Sequence, residues 1–384
     1  MKKLLSFTLL LIILSCSLSF GSTAVNESEI QVKAKAAVLM DASTGEVLYS
    51  FNENERLYPA SVTKIMPLLL FMEALDSGKI ALTDTVTASP TAASKGGSQI
   101  WLKEGEQMTV DELLRATAIA SANDACTALG EHIAGSEVGF VKMMNDRAKA
   151  LGMMDTNFVN CSGLDDDTTE HLTTAYDIAL MSKELLSHER IKTYTTVWMD
   201  SLRNGETQLV NTNKLVRFYS GTTGLKTGTT TKAGYCLSAS AERDGLHLIA
   251  VVMGADNSSE RFEGAKAMLN WGFANFETVT PQIDSSLFGE VEILRGVEES
   301  IKPIITGVKP LTLKAGEKAK LKTEINLSEN AEAPIEKNQT LGTVTLKIDD
   351  KEIAKYNLVS EKEVEKTNIG HIIVRFLRSL AKSA

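Results

Sequence analysis

The sequence predicts an α+β protein: one antiparallel sheet covered by helices, then a small all-β domain, then a terminal amphipathic helix. Three observations lead there. Strand-like segments lie towards both ends of residues 30–276, with a helix-rich stretch between them. After Pro281 the chain turns to short alternating segments separated by Gly, Pro and Asn. From Asn368 to Ala384 it becomes helical and basic. Strands flanking a helical middle suggest a sheet packed against helices. The punctuated strands that follow read as a separate β domain over 277–363.

The elements follow in order. Lys2 and Lys3 precede an apolar run, Leu4 to Leu14, and a small-residue stretch, Ser15 to Ala24. That is the layout of a secretory signal, placed at 1–22. The run is too short to span a bilayer. Cys16 follows Ile13-Leu14-Ser15, a loose likeness to a lipoprotein cleavage site. Residues 36–51 form a hairpin whose turn holds Asp41-Ala-Ser-Thr-Gly45. From Ser61 to about Ser77 the apolar residues recur at helical spacing. Pro67 falls inside that helix, removes a backbone donor and should kink it. Val110–Ala120, Ala125–Ile133, Val138–Leu151 and Ala175–Leu186 are helical by the same criterion. Lys226–Ser240 and Leu246–Met253 read as two strands joined by a Glu-Arg-Asp-Gly turn. Arg261–Phe276 is again helical. Five strands are expected beyond: Glu290–Leu294, Leu311–Leu313, Lys318–Thr323, Thr343–Ile348 and Glu352–Leu358.

Composition narrows the function classes. The chain has 384 residues, 43% hydrophobic and 23% charged, which is ordinary globular usage. A net charge of -9 argues against nucleic acid as a partner. Cys126, Cys161 and Cys236 are widely spaced and odd in number, so they are expected as buried free thiols. There is no CxxC, HExxH or His cluster, so no metal is expected. With no G-x-G-x-x-G or P-loop pattern, no cofactor is expected either.

Three motifs remain, in order. Ser61-Val-Thr-Lys64 opens the first long helix, Ser121-Ala-Asn123 lies between two helices, and Lys226-Thr-Gly228 opens a strand. Each is cheap alone: Ser379-Leu-Ala-Lys382 fits the first and Ser328-Glu-Asn330 the second. Order and context raise the signal. A serine hydroxyl needs a nearby base to become a nucleophile. Ser61 and Lys64, three apart on a helix, share a face. Lysine acts as a base only when desolvated or placed near another cation, and Lys226 is a candidate for that cation. Ser121 can bridge the lysines and pass a proton to a leaving amine. Asn123 can hold a substrate peptide group, and the strand from Lys226 offers an edge for an extended peptide. Backbone N–H groups at the helix start can stabilise an oxyanion.

With these residues set out, Tyr58-Pro-Ala-Ser-Val-Thr-Lys64 resembles the active-site segment of low-molecular-mass penicillin-binding proteins, the serine-type D-Ala-D-Ala carboxypeptidases. The likeness runs over roughly 35–276. It includes Asn160-Cys-Ser-Gly-Leu164, Leu225-Lys-Thr-Gly228, Lys232-Ala-Gly-Tyr235 and Asn270-Trp-Gly-Phe273. It implies an α/β (α+β) penicillin-binding/β-lactamase-like catalytic domain over 30–276. Removal of the terminal D-alanine from peptidoglycan stems is implied, as is acylation by β-lactams. By resemblance Ser61 forms the acyl-enzyme, Lys64 takes its proton, and Ser121 and Asn123 complete the catalytic set. Lys226 and Thr227 meet the terminal carboxylate, Thr229 joins Ser61 in the oxyanion hole, and Arg261 adds a carboxylate contact.

Other readings stay open. A class A β-lactamase shares the three motifs but needs a Glu-x-x-Leu-Asn pentapeptide, absent between 124 and 225, and an Asp where Ala122 stands. A penicillin-binding sensor or wall-binding module would be acylated without turnover. Endopeptidase action on D-Ala crosslinks would use the same site. In 368–384, Ile369, Ile372, Ile373, Phe376, Leu377 and Leu380 form one apolar stripe, with Arg375, Arg378 and Lys382 largely off it. That composition suits a helix lying on an anionic membrane surface. The expected location is therefore outside the cell, on the outer face of the cytoplasmic membrane.

Overall fold

A computed structural model describes residues 30–165, 168–370 and 373. The predicted leader, 1–22, lies outside the described residues, as does most of the predicted helix 368–384. Among the described residues no helix is long and apolar enough to cross a membrane.

The larger domain is built on a five-stranded antiparallel sheet. Its order is Val47–Phe51, Ala36–Asp41, Leu246–Ala255, Gly234–Arg243, Thr222–Thr230. The Leu246–Ala255 strand is an almost unbroken apolar run because both of its faces are covered. Ile249, Val251 and Met253 point into one core with Val38, Met40 and the helix Ile65–Asp76. Leu248, Ala250 and Val252 point into the other, with Leu39 and the helix Ser258–Asn275. The period of two along a strand sorts these residues to opposite faces. The helices Val110–Ile119, Asn123–Ala134, Glu137–Ala150 and Ala175–Ser187 complete the domain on the first side.

Two expectations change. The segment read as one strand from Lys226 to Ser240 is two strands with a turn at 231–233. Thr230 Oγ1 accepts the Ala233 N–H at 3.0 Å, and Gly234 follows at φ +66°, which ends the pairing. Pro67 does not kink the helix. Residues Ala60–Lys64 form a 3₁₀ turn and the α-helix begins at Ile65. Pro67 therefore sits in the first α-helical turn, where its missing N–H would lack a partner in any case.

The second domain begins as Phe276–Val279 pairs with Leu311–Lys314. A four-stranded sheet contains Lys322–Leu327, Thr340–Ile348 and Lys351–Val359, and a three-stranded one contains Val291–Leu294. The expected strand Lys318–Thr323 is instead a 3₁₀ turn, Glu317–Lys320, leading into Lys322–Leu327. Gly316 at φ +84° starts that turn, and the Glu317 carboxylate accepts the Lys314 N–H at 3.0 Å. The domains meet at Asp41. Its fully buried carboxylate accepts the hydroxyls of Thr278 and Thr312 at 2.7 and 2.8 Å.

Candidate active site

The site forms where the Ala60–Lys64 turn, the loop 160–165, the Ser121–Asn123 junction and the Thr222–Thr230 strand converge. Ala60 has φ +49° and Ser121 φ +64°, conformations that non-glycine residues hold only when their surroundings over-determine them. Both flank or form a motif, as strain stored at a working site should.

Lys64 Nζ lies 3.0 Å from Ser61 Oγ and donates to the Ser162 carbonyl at 2.9 Å. The lysine is fully buried. Desolvation pushes its pKa down to about 8, although the nearby Cys126, Cys161 and Asp124 pull the other way. Lys226 is also fully buried, and its Nζ donates to the Thr227 carbonyl at 3.0 Å. Burial first, then the positive charges of Lys64 and Arg261, holds its pKa well below the ordinary lysine value. The charge of Lys64 thus makes Lys226 easier to deprotonate, whereas the lowering at Lys64 itself comes from burial.

The approach of strand to turn depends on Gly228. A Cβ there would stand 2.7 Å from the Pro59 carbonyl oxygen and 2.8 Å from the Ser61 nitrogen. Only glycine brings the strand this close, so the backbone at 228–229 lies beside the Ser61 N–H. Two amides at one point are what an oxyanion hole needs. Arg261 stands behind this strand, buried, with Nη1 donating to Gly228 O at 3.1 Å and to Thr229 Oγ1 at 3.0 Å. Thr227 Oγ1 donates to Thr212 Oγ1 at 2.7 Å.

Asn123 begins the helix Asn123–Ala134. Its Nδ2 donates to Gly96 O at 2.7 Å, while its Oδ1 is buried without a partner. A buried acceptor left empty is costly unless a ligand fills it. Ser121 is buried beside it but makes no side-chain hydrogen bond to Lys64 or Lys226 among the described residues, so a bridging role requires a small rotation or a bound substrate.

The loop 160–164 shapes itself. Asn160 Oδ1 accepts the N–H of Gly163 at 2.7 Å, and its Nδ2 donates to Leu164 O at 2.7 Å. Gly163 has φ +86°, and a Cβ there would lie 1.8 Å from Ala60 O. The loop therefore packs directly on the Ala60–Lys64 turn and aims the Ser162 carbonyl at Lys64.

Residues 22–257 match the D-alanyl-D-alanine carboxypeptidase family. The chain belongs to that family. Residues 276–366 match the family described as penicillin-binding protein 5, C-terminal domain. The chain is 44% identical over 394 residues to the D-alanyl-D-alanine carboxypeptidase DacF of Bacillus subtilis, covering 100% of both. It is 36% identical to DacC of Escherichia coli, covering 87% of this chain and 85% of that one. Penicillin-binding protein 5 of Haemophilus influenzae superposes with a TM-score of 0.78 at 32% identity, over 88% of this chain and 98% of that one. Penicillin-binding protein D2 of Listeria monocytogenes, solved in an ampicillin-bound form, gives a TM-score of 0.59 at 32% identity, over 64% and 99%.

Membership in the family does not by itself explain three residues that the motif search missed. His171 is fully buried; Val159 N–H donates to its Nδ1 at 3.0 Å, so its Nε2–H donates to Thr63 Oγ1 at 2.8 Å. Burial, then the charge of Lys64, lowers its pKa to about 4, so it stays neutral beside Lys64. Asp124 accepts the N–H groups of Ile100 and Leu102 at 3.1 and 3.0 Å. Asp165 accepts the Thr230 hydroxyl at 2.5 Å and ties the loop to the strand end. An acidic residue directly after Asn123 was the one usable signal among these. The three cysteines are buried free thiols.

Proposed function

We propose that this D-Ala-D-Ala carboxypeptidase cleaves stem peptides of peptidoglycan through a Ser61 acyl-enzyme, exported and held at the outer face of the cytoplasmic membrane. The observation that carries the chemistry is the 3.0 Å contact between Ser61 Oγ and a fully buried Lys64 that, among the described residues, has no carboxylate in ion-pair contact. A lysine in that setting is a base rather than a counter-ion.

The substrate's C-terminal end lies along Thr222–Thr230, the edge strand of the sheet. Lys226 and Thr227 receive the terminal carboxylate, and Asn123 receives the peptide group on the acyl side. The scissile carbonyl oxygen enters the hole formed by the Ser61 and Thr229 N–H groups. Ser61 Oγ attacks the carbonyl carbon as Lys64 Nζ takes its proton. The tetrahedral intermediate collapses, the C–N bond breaks, and the leaving amine takes a proton delivered through Ser121. Water then attacks the ester with Lys64 again as base, which releases the shortened stem and restores Ser61. A β-lactam acylates Ser61 by the same route, but its amine stays tethered to the acyl group. Arg261 acts from behind the strand by holding Gly228 and Thr229 in place.

The location rests on the leader-like N-terminus and on the apolar stripe of 368–384, whose Ile369 and Ile373 are exposed. The decisive chemical test is Ser61→Ala. Penicillin labelling and D-alanine release from diacetyl-Lys-D-Ala-D-Ala should both vanish with the fold intact; labelling at another serine would refute the assignment. For location, deleting 368–384 should move the protein from the membrane to the soluble fraction while D-alanine release from the small peptide persists. If the truncated protein still pellets with membranes, the anchor lies elsewhere, with Cys16 lipidation the first suspect.

A further inference from the structure

His171 takes no part in the steps above, yet it is a fully buried imidazole set between the two segments that hold Lys64. The Lys64 ammonium is gripped from two sides. Ser61 Oγ, on the Ala60–Lys64 turn, stands 3.0 Å from Nζ, and the Ser162 carbonyl, on the loop 160–164, stands 2.9 Å from it. Ser162 is 98 positions from Lys64 in the chain, so nothing covalent fixes the loop against the turn. The geometry of the base depends on how firmly packing and hydrogen bonds hold the two together.

His171 bonds to both. The Val159 N–H, at the entry to the loop, donates to Nδ1 at 3.0 Å, so that nitrogen carries no proton. The proton of the neutral ring is therefore on Nε2, which donates to Thr63 Oγ1 at 2.8 Å. Thr63 is itself fully buried and stands between Ser61 and Lys64 in the turn. The Phe158 ring, centred 5.8 Å away at 57°, packs against the imidazole. With its pKa lowered to about 4, by burial first and then by Lys64, the ring keeps the tautomer that makes both bonds. Gly163 shows how closely loop and turn meet, because a Cβ there would lie 2.7 Å from Thr63 Oγ1. A buried hydrogen-bond chain with every member satisfied makes rigid what it joins.

We propose that His171 is a positioning residue for acylation: a neutral strut from Val159 to Thr63 that keeps Lys64 dry and in contact with Ser61 Oγ. This rests on the Ser61 acyl-enzyme reading and deepens it. The consequence has a direction. Without the strut the loop and the turn part, and a misplacement of about 1 Å costs on the order of 10²-fold in rate. Water also reaches the ammonium, which weakens the desolvation that lowers the Lys64 pKa to about 8, so that pKa climbs. The other titratable groups facing Lys64 are Asp124 and Cys126 from the helix Asn123–Ala134, Cys161 from the loop and Lys226 from the strand. The substitutions below leave all four in place.

The test follows the rate of penicillin acylation from pH 6 to 10 in the intact protein, His171→Phe, His171→Gln, Thr63→Val and the double variant His171→Phe/Thr63→Val. Phenylalanine keeps the ring's bulk and loses both bonds. Glutamine keeps an amide donor for Thr63. Valine keeps the shape of Thr63 without its hydroxyl. Thermal melting confirms which variants are folded, and His171→Gln and Thr63→Val carry the test if His171→Phe is not. In His171→Phe the plateau rate should fall roughly 10- to 100-fold, and its pH midpoint should rise by about one unit. Thr63→Val should shift both in the same sense, and His171→Gln should recover part of the loss. The double variant should be slower than the slower single variant by no more than about 2-fold, because both changes remove the same bond. A midpoint that stays put in the folded variants, or a double variant whose loss is the product of the two single losses, overturns the strut alone. No acylation of Ser61 in the intact protein overturns the acyl-enzyme reading and the strut with it.

Discussion

The two domains treat charge differently. The larger one buries Lys64, Lys226, Arg261, Asp41, Asp124, Asp165, Asp177 and His171; among the described residues the smaller one buries only Thr345 and Ser360 of its polar side chains. Its ion pairs, such as Arg295–Glu332 at 2.9 Å, are exposed. Burying a charge is expensive, and folding alone gives no reason to do it twice with two lysines in one cleft. The contrast separates a domain whose interior is arranged for chemistry from one whose interior is arranged only for packing.

Breaking the larger domain's arrangement at Lys64 should have the greatest effect. Lys64→Met removes the base while keeping the bulk, and acylation by penicillin should slow roughly 10²- to 10⁴-fold. In the intact protein the acylation rate should rise with pH through about 8 and level off above it, because the neutral amine is the active form. A rate independent of pH between 6 and 10 would remove Lys64 from the role.

His171 comes next. Its pKa is about 4 in the fold against 6.5 for the free side chain. The unfolded chain therefore binds a proton that the folded chain refuses. Stability from this group is complete above about pH 6.5, falls as pH drops, and stops falling below about 4. The loss approaches about 3 kcal/mol. Urea midpoints at pH 7 and pH 4 should differ more for the intact protein than for His171→Gln; equal differences would show that His171 is not held neutral.

Arg261 is the third. Arg261→Ala frees Gly228 and Thr229 from behind, and a charge-assisted hydrogen bond of this kind is worth about 1.5–3 kcal/mol, so kcat/KM should fall roughly 10- to 150-fold. Because the guanidinium braces the strand, penicillin acylation should slow along with peptide turnover. Turnover that slows while acylation does not would instead mark direct contact with the terminal carboxylate. The smallest effect belongs to the other domain: Arg295→Ala should leave both the denaturation midpoint and D-alanine release unchanged, as exposed pairs contribute little.

Much of the fold was legible because its signals are local. The helices at 110–119, 123–134, 137–150 and 175–187 follow their apolar spacing to within a few residues, and N-caps such as Thr109, Ser136 and Thr174 close the expected ends. The site's motifs were legible for the same reason: serine and lysine three apart share a face wherever the segment is helical. The misreadings lay where side chains override pattern. Thr230 and Gly234 break the segment read as one strand, Lys226–Ser240, into two, and Gly316 with Glu317 turns a predicted strand into a 3₁₀ turn.

By itself the sequence determined the order of the three motifs, the helical middle, the β-rich second part and the candidate nucleophile. These depend on spacing and residue type along the chain. Only the tertiary structure decided that Lys64 is buried with its pKa lowered, and only folding brings its charge to bear on Lys226, which is remote in sequence. Tertiary structure alone also explains why Gly228 and Gly163 must be glycines: the atoms that would clash with a side chain there belong to the Pro59–Ser61 turn, remote in sequence and brought close by packing.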